Sequence, residues 1–158
     1  MSSHGAPIIE AVSAPDLTVT IVAGTWHETI ATGLLDGARR YLERTGAQVS
    51  VIRVPGSFEL PLACQAALHN GADAVVALGV IVRGGTPHFE YVASATTDGL
   101  TRVALDSGKP VGFGVLTVDD EAQGIDRAGL DGSSEDKGAE AADAAVRLAL
   151  TLRGVSSS

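Results

Sequence analysis

The chain has 158 residues, of which 45% are hydrophobic and 19% charged, which suits one compact domain with a core of its own. Its formal net charge of -8 excludes nucleic acids and anionic membrane surfaces as general partners, because both bind basic faces. The apolar runs are too short to cross a bilayer, and Cys64 has no second cysteine to pair with, so we expect a soluble cytoplasmic protein with Cys64 in its core.

Four short runs rich in β-branched residues predict strands, and segments with helical spacing separate them. The predicted strands are 17–23, 48–54, 72–82 and 110–118. The first helical segment repeats an apolar residue every four positions, at Ile30, Leu34, Ala38 and Leu42. Another begins at "GSFELP", where Ser57 is the expected N-cap and Pro61 falls in the first turn.

After the third strand, helical spacing recurs at Tyr91, Ala95, Leu100 and Val103. Two helices are expected after the fourth strand, near 120–128 and 135–153, separated by the linker "GLDGSSEDKG". Strands that alternate with helices form a parallel sheet covered on both faces. The sequence therefore predicts an α/β protein: a single-domain, three-layer α/β/α sandwich around a four-stranded parallel sheet, with residues 1–15 as an extended arm and 154–158 as a flexible tail.

Ligands of open parallel sheets bind beyond the carboxyl ends of the strands, so the loops at that edge are the candidate site. These loops read "GTWHE" at 24–28, "PGSFE" at 55–59, "RGGTPH" at 83–88 and "TVDDE" at 117–121. All four of them carry an aromatic residue, a carboxylate or a histidine. We therefore expect these side chains to converge on one ligand.

The stretch "GGTPH" has the features of an anion site. Gly84 and Gly85 let the backbone approach a ligand, Thr86 adds a hydroxyl, and Pro87 suits the first position of a helix whose free N–H groups attract phosphate. It lacks the lysine and spacing of a P-loop. His88 follows at once and suits proton transfer near neutral pH.

Other roles stay open for these residues when the pattern is taken alone. His88 can instead bond a neighbouring carboxylate such as Glu90, and Trp26 can cap the core rather than stack on a flat ring. Glu59 can serve a ligand or the helix dipole. Phe113 suits the core, and Arg127 and Lys137 suit surface ion pairs.

Five blocks together carry a family resemblance: "PGSFELP", "RGGTPHFEYV", "FGVLT", "DRAG" and "EDKG". With these separations, residues 15 to 153 resemble the 6,7-dimethyl-8-ribityllumazine synthases, the penultimate enzymes of riboflavin biosynthesis. The resemblance implies a flavodoxin-like fold. It also implies a cofactor-independent transferase that condenses 5-amino-6-(D-ribitylamino)uracil with 3,4-dihydroxy-2-butanone 4-phosphate, without a metal.

The resemblance also implies roles for individual residues. His88 is the expected proton-transfer group. The phosphate is expected at Gly85, Thr86 and Arg127. The pyrimidine and its ribityl chain are expected at Trp26, Ser57, Phe58, Glu59, Val80, Ile81, Val82, Phe113 and Lys137. Relatives often have asparagine or aspartate at the position of His27, so the role of this residue stays open.

The four-stranded sheet has exposed edges, and the segment "APIIEAVSAP" before the first strand can pair with a neighbouring chain. The resemblance implies a pentamer with active sites between subunits, or a hollow icosahedral shell of pentamers, and an association with riboflavin synthase. The length of the linker "GLDGSSEDKG" favours a free pentamer.

Two other functions use the same strand ends. A flavodoxin-like binding module would hold a flavin or another phosphate-bearing ligand without turnover and without dependence on His88. A shell protein with a decayed site would give no reason for Thr86, His88 and Arg127 to occur together.

Overall fold

The computed structural model describes residues 6–156 of the chain. Four strands and five helices alternate along it, with a short 3₁₀ helix before the second α-helix. The strands are β1 (Thr18–Gly24), β2 (Gln48–Val54), β3 (Ala74–Val82) and β4 (Val111–Val118). The helices are α1 (Glu28–Thr45), α2 (Leu60–His69), α3 (His88–Ser107), α4 (Glu121–Arg127) and α5 (Lys137–Ser156), and the 3₁₀ helix is Ser57–Glu59.

The four strands form one sheet in the order β2-β1-β3-β4, and every neighbouring pair is parallel. β3 is apolar along its whole length and lies inside the sheet, with Ala77 beside Val22 on one neighbour and Phe113 on the other. β2 and β4 are the edges. The predicted four-stranded parallel sheet is confirmed.

Helices cover both faces of the sheet. α1 and α5 pack against each other and the sheet on one side, and α2 and α3 do so on the other. Each side has its own hydrophobic core: Tyr41, Leu34 and Val146 are buried in one, and Leu60, Cys64 and Leu100 in the other. The α/β/α sandwich and the core position of Cys64 are therefore confirmed. Burial raises the pKa of the Cys64 thiol to about 12.

The apolar repeat of α1 faces the core as predicted, because Ile30, Leu34, Ala38 and Leu42 are all buried. The repeat predicted for α3 is only partly right. Leu100 and Val103 are buried, but Tyr91 is 72% exposed. α5 ends at Ser156, so helix occupies 154–156, which we expected to belong to the tail, and residues 157–158 lie outside the described residues.

The start of α2 differs from the prediction. Ser57 is not an N-cap: it begins the 3₁₀ helix, and Gly56 precedes it in extended conformation. The Glu59 carboxylate performs the capping function, since its Oε1 accepts a hydrogen bond from the Gly56 N–H at 2.9 Å. Pro61 lies in the first turn of α2 as predicted, where no intrahelical N–H bond is lost.

Residues 6–14 of the N-terminal segment have no regular secondary structure. Two arginines hold this segment against the α1–α5 side: Arg44 donates to the carbonyl of Ile9 at 2.8 Å, and Arg147 donates to that of Glu10 at 3.1 Å. The side chain of Ile8 is 89% exposed. Residues 1–5 of the predicted arm lie outside the described residues. Within residues 6–156, no helix is both long and apolar enough to span a membrane.

Candidate active site

A cleft of about 520 Å³ opens where β1 and β3 end. This volume lies in the range of small-molecule sites, roughly 300–1,000 Å³. Segments far apart in sequence line it, because parallel strands bring their carboxyl ends to one edge. The lining residues are Trp26, His27, Ser57, Phe58, Glu59, Val80, Ile81, Val82, His88, Tyr91 and Val92.

The indole of Trp26 lines the cleft and belongs to neither hydrophobic core. Its backbone N–H donates to the carbonyl of Pro55 at 3.1 Å, which fixes the loop after β1 against the loop after β2. The ring lies on the α-carbon of Gly56, and 63% of the residue remains exposed. The alternative that Trp26 caps the core is therefore wrong.

His27 also lines the cleft, and its backbone is left-handed, with φ 59° and ψ 62°. Within residues 6–156 it is the one non-glycine residue with positive φ. A side chain in this region costs about 1–2 kcal/mol, because Cβ crowds the following carbonyl oxygen. Such strain is most common at functional sites. His27 is thus a site residue whose role sequence reasoning left open.

The segment after β2 lines the cleft with two polar residues, Ser57 and Glu59. The Ser57 hydroxyl is buried and has no hydrogen-bond partner within the described part of the chain. Its backbone is fixed by Thr96, whose hydroxyl donates to the Ser57 carbonyl at 3.3 Å. A buried hydroxyl without a partner costs about 1–3 kcal/mol, and this one lies against Gly79 of β3 rather than on the open surface of the cleft.

The loop between β3 and α3 borders the cleft. His88 begins α3, lines the cleft and is exposed, whereas Gly85 and Thr86 lie in the loop and are not among the lining residues. The Thr86 hydroxyl accepts a hydrogen bond from the His88 N–H at 3.4 Å. Pro87 stands one position before the helix rather than at its first residue. Glu90, the alternative partner of His88, instead pairs with Arg83 at 3.1 Å.

A second cleft, of about 280 Å³, lies along edge strand β4 and contains the remaining predicted residues, Phe113, Arg127 and Lys137. Phe113 is 48% exposed and therefore does not belong to the core. No residue lines both clefts. The structure thus divides the predicted site residues of one chain between two surfaces.

Glu135 stands between the two cations of this second cleft. Its carboxylate lies 3.7 Å from the Arg127 Nε and 2.9 Å from the Lys137 Nζ. Hydrogen bonds to Glu135 and then Glu140 raise the pKa of Lys137, which stays charged. Arg127 also donates to the carbonyl of Gln123 at 2.9 Å, so its guanidinium is held in place at the end of α4.

Sequence reasoning missed two lining residues, Tyr91 and Val92. They lie three and four positions after His88, a spacing that puts all three on one face of a helix. That signal was available, but Tyr91 was assigned to the buried repeat instead. Within residues 6–156 no group of three or more His, Cys, Asp or Glu side chains is placed to hold a metal ion, and His4 lies outside the described residues.

The family model described as 6,7-dimethyl-8-ribityllumazine synthase matches residues 16–153. A protein of Leifsonia xyli subsp. xyli with that name is 69% identical over 156 residues, which cover 98% of this chain and 99% of that protein. A protein of the same name from Clavibacter michiganensis subsp. michiganensis is 65% identical, with 98% of each chain covered. One from Streptomyces avermitilis is 54% identical over 99% of this chain and 98% of its own. The chain belongs to the 6,7-dimethyl-8-ribityllumazine synthase family.

Proposed function

We propose that this chain condenses 5-amino-6-(D-ribitylamino)uracil with 3,4-dihydroxy-2-butanone 4-phosphate, with the first cleft as the pyrimidine side of its active site. The products are 6,7-dimethyl-8-ribityllumazine, phosphate and two waters. One observation carries the residue assignment: the fold brings Trp26, Glu59 and His88 from three separate segments into one cleft.

The lining of the cleft supports the binding of a ribityl-substituted pyrimidine. The open face of the Trp26 indole can stack on the flat ring, and Val80, Ile81 and Val82 form an apolar wall beside it. The ribityl hydroxyls require hydrogen-bond partners. Glu59 offers a carboxylate, and the buried hydroxyl of Ser57, which has no partner, becomes available when its side chain changes rotamer.

The first chemical step joins the two substrates. The 5-amino group attacks the ketone carbon, a C–N bond forms, and the carbinol oxygen leaves as water once it has been protonated, which gives an imine. His88 lines the cleft and is exposed, so it can carry these protons between the substrate and solvent.

Phosphate leaves in the second step. Loss of a proton from the carbon beside the imine supplies the electron pair that breaks the C–O bond to phosphate. We assign this proton to His88, which lines the same cleft. Negative charge builds up on the phosphate as the C–O bond breaks. The N–H groups at the start of α3, the Thr86 hydroxyl and the guanidinium of Arg127 stabilise this charge.

Ring closure completes the reaction. The enol left after phosphate departs takes up a proton and becomes a ketone, the ribitylamino nitrogen attacks it, and a second water leaves. Every step requires proton transfer, and no step requires an external oxidant or reductant. Holding the two substrates together supplies much of the acceleration, since well-oriented pairs gain about 7–11 kcal/mol.

The division of residues between two clefts supports an active site shared by neighbouring chains. β2 and β4 are opposite edges of the sheet; Ser57–Glu59 follow β2 in the first cleft, and the second cleft lies along β4. A head-to-tail contact, which closes into a ring, brings one chain's first cleft against the next chain's second cleft. We propose a pentamer of this kind, in which Phe113, Arg127 and Lys137 complete the neighbour's site.

The proposal also covers the location of the protein in the cell and its association with another enzyme. A cytoplasmic location suits a biosynthetic enzyme with one buried free cysteine, Cys64. The product is a lumazine, which riboflavin synthase consumes, so association with that enzyme is proposed as well. Sedimentation velocity of the purified protein, alone and mixed with riboflavin synthase, tests the pentamer, a shell of pentamers and the association.

The central experiment mixes the purified protein with both substrates and follows lumazine absorbance and phosphate release together, with the uncatalysed rate subtracted. We expect both products to form in equal amounts. His88→Ala should lower kcat by about 100-fold, at the low end of general acid–base contributions. Arg127→Ala should raise KM for the butanone phosphate.

Matched substitutions at distant positions serve as controls. His69 is exposed at the end of α2, and Arg102 forms a surface pair with Asp106, so His69→Ala and Arg102→Ala should leave both rates unchanged. A folded protein at its native assembly that gives no rate above background contradicts the proposal. Tight riboflavin binding that quenches Trp26 fluorescence would then favour the binding module.

A further inference from the structure

The guanidinium of Arg83 lies where three segments meet. Arg83 is the first residue after β3, and its Nε donates to the Asp119 carboxylate, which follows β4, at 2.9 Å. Its Nη1 donates to the Glu90 carboxylate in the first turn of α3 at 3.1 Å. The same group lies over the ring of Phe89, 4.4 Å from the centroid. One side chain thus joins the start of the phosphate loop to the helix that carries His88.

The loop between these anchors has little support of its own. Residues 84–87 are exposed, and a methyl group added at Gly84 or Gly85 would meet no atom within 4 Å. The backbone is held at its two ends. Arg83 N–H donates to the Val118 carbonyl at 2.9 Å, and the Pro87 carbonyl accepts from the Glu90 N–H at 3.1 Å. The position of the loop over the start of α3 therefore depends on what joins these ends.

Asp119 is itself fixed, so it can serve as an anchor. Its backbone N–H donates to the Gln123 side chain at 2.7 Å, and Asp120 caps α4 by accepting from the Gln123 N–H at 2.9 Å. Hydrogen bonds from Arg83 and then Gln123 lower the pKa of Asp119, so the carboxylate stays ionised near neutral pH. Arg83 therefore joins the loop to the segment at which α4 begins.

We propose that Arg83 is a positioning residue for the phosphate-bearing substrate: it holds the loop 84–86 over the first turn of α3 and does not bind the phosphate itself. This inference rests on the proposed function. It assigns phosphate affinity to a side chain that does not line either cleft.

The charges around Arg83 indicate that it positions the loop and does not attract the phosphate. Its single positive charge faces two carboxylates, Asp119 and Glu90, so the trio has a net negative charge and does not draw an anion. Both ion pairs are on the surface, where such pairs contribute little to folding. The planar fork of arginine is suited to fixing two carboxylates at once, which the ammonium of lysine cannot do in the same geometry.

Three substitutions test the idea by the sign of their effects. Arg83→Gln removes a positive charge, whereas Asp119→Asn and Glu90→Gln each remove a negative charge. If Arg83 acts by positioning, all three raise KM for the butanone phosphate and the inhibition constant of inorganic phosphate, by about tenfold for Arg83→Gln. KM for the pyrimidine should change less than about twofold, and Arg83→Lys should recover part of the loss.

Effects of the opposite sign would overturn the proposal. If Arg83 attracts or binds phosphate directly, Asp119→Asn and Glu90→Gln free it and lower both constants, which overturns the proposal. Unchanged constants in Arg83→Gln also overturn it, as does a rise of both substrate KM values together with a lower unfolding temperature. Arg102→Gln, which removes a surface arginine that lies within α3, is the matched control and should change neither constant.

Failure of the proposed function gives a different result. In that case the wild-type protein makes no lumazine, whatever stands at position 83. Calorimetric titration with inorganic phosphate still compares the wild type with the three variants and tests the positioning of the loop. Weaker phosphate binding in all three supports the proposal, and equal or tighter binding in any of them overturns it.

Discussion

The indole ring of Trp26 rests directly on the α-carbon of Gly56. A methyl group added at Gly56 would lie 2.5 Å from both Cε3 and Cζ3 of the ring, far inside van der Waals contact. The backbone of Gly56 is extended, with φ -142° and ψ -172°, a conformation that alanine adopts without strain. Gly56 is therefore required because a side chain would clash with the indole ring of Trp26, and not because its backbone conformation excludes other residues.

We expect Gly56→Ala to push the indole out of position and to raise KM for the pyrimidine by about tenfold, since displacement of a stacking group by about 1 Å is costly. Trp26 fluorescence, the signal of the one tryptophan in the chain, reports the displacement. Gly154→Ala is the matched control, because a methyl group there meets no atom within 4 Å. Unaltered fluorescence and KM in Gly56→Ala would contradict the proposed stacking role.

The left-handed backbone of His27 predicts a gain of stability on substitution by glycine. His27→Gly removes the clash of Cβ with the following carbonyl and should raise the free energy of unfolding by about 1 kcal/mol. His27→Ala keeps Cβ and should not. Urea unfolding at one protein concentration measures both variants. Equal stability of the two variants would mean that the backbone of His27 is not strained.

We predict that the carboxylate of Glu135 competes with phosphate for Arg127, the proposed phosphate ligand. We expect Glu135→Gln to lower the inhibition constant of inorganic phosphate about two- to fivefold, which corresponds to about 0.4–1 kcal/mol and lies within the range of surface ion pairs. The backbone stays in place, because the Glu135 N–H donates to the Asp126 carbonyl at 3.1 Å and its carbonyl accepts from Gly129 at 2.9 Å.

Glu140→Gln is the control for this substitution, since Glu140 pairs with Lys137 alone among the two cations. It should have the smaller effect on phosphate inhibition. An inhibition constant that rises in Glu135→Gln would show that the carboxylate orients Arg127 for the phosphate rather than competing with it.

The raised pKa of Tyr41 predicts that the free energy of unfolding falls at high pH. Its buried hydroxyl donates to the Asp143 carboxylate, and burial followed by this hydrogen bond raises the pKa of Tyr41 from 10.0 to about 12. The folded state therefore favours the neutral phenol. Its contribution to stability, of order 2 kcal/mol, is present below pH 10 and is lost as the pH rises towards 12.

Tyr41→Phe removes this titration. The wild type should be more stable than the variant at pH 8, and the difference in the free energy of unfolding should shrink between pH 10 and pH 12. Unfolding by urea across this range gives the measurement. A difference that does not change with pH would show that Tyr41 does not contribute through its protonation.

The four strands and the order of the helices could be predicted from local patterns in the sequence. The runs of β-branched residues mark β1 to β4, and the four-residue repeat of α1 marks its buried face, because burial against a core selects apolar side chains at fixed spacing. The parallel sheet follows from the alternation of elements. The motifs also identified the family, which depends on residue identity alone.

Only the tertiary structure decided how the site residues are grouped. Trp26 and Glu59 are 33 positions apart and meet because β1 and β2 are paired in register; Phe113, Arg127 and Lys137 lie elsewhere because β4 is the opposite edge of the sheet. The ion pairs of Arg83, the unpaired hydroxyl of Ser57 and the strain at His27 depend on three-dimensional contacts between distant segments. Patterns of local sequence record which face of an element is buried, but not which distant atom a polar side chain will meet.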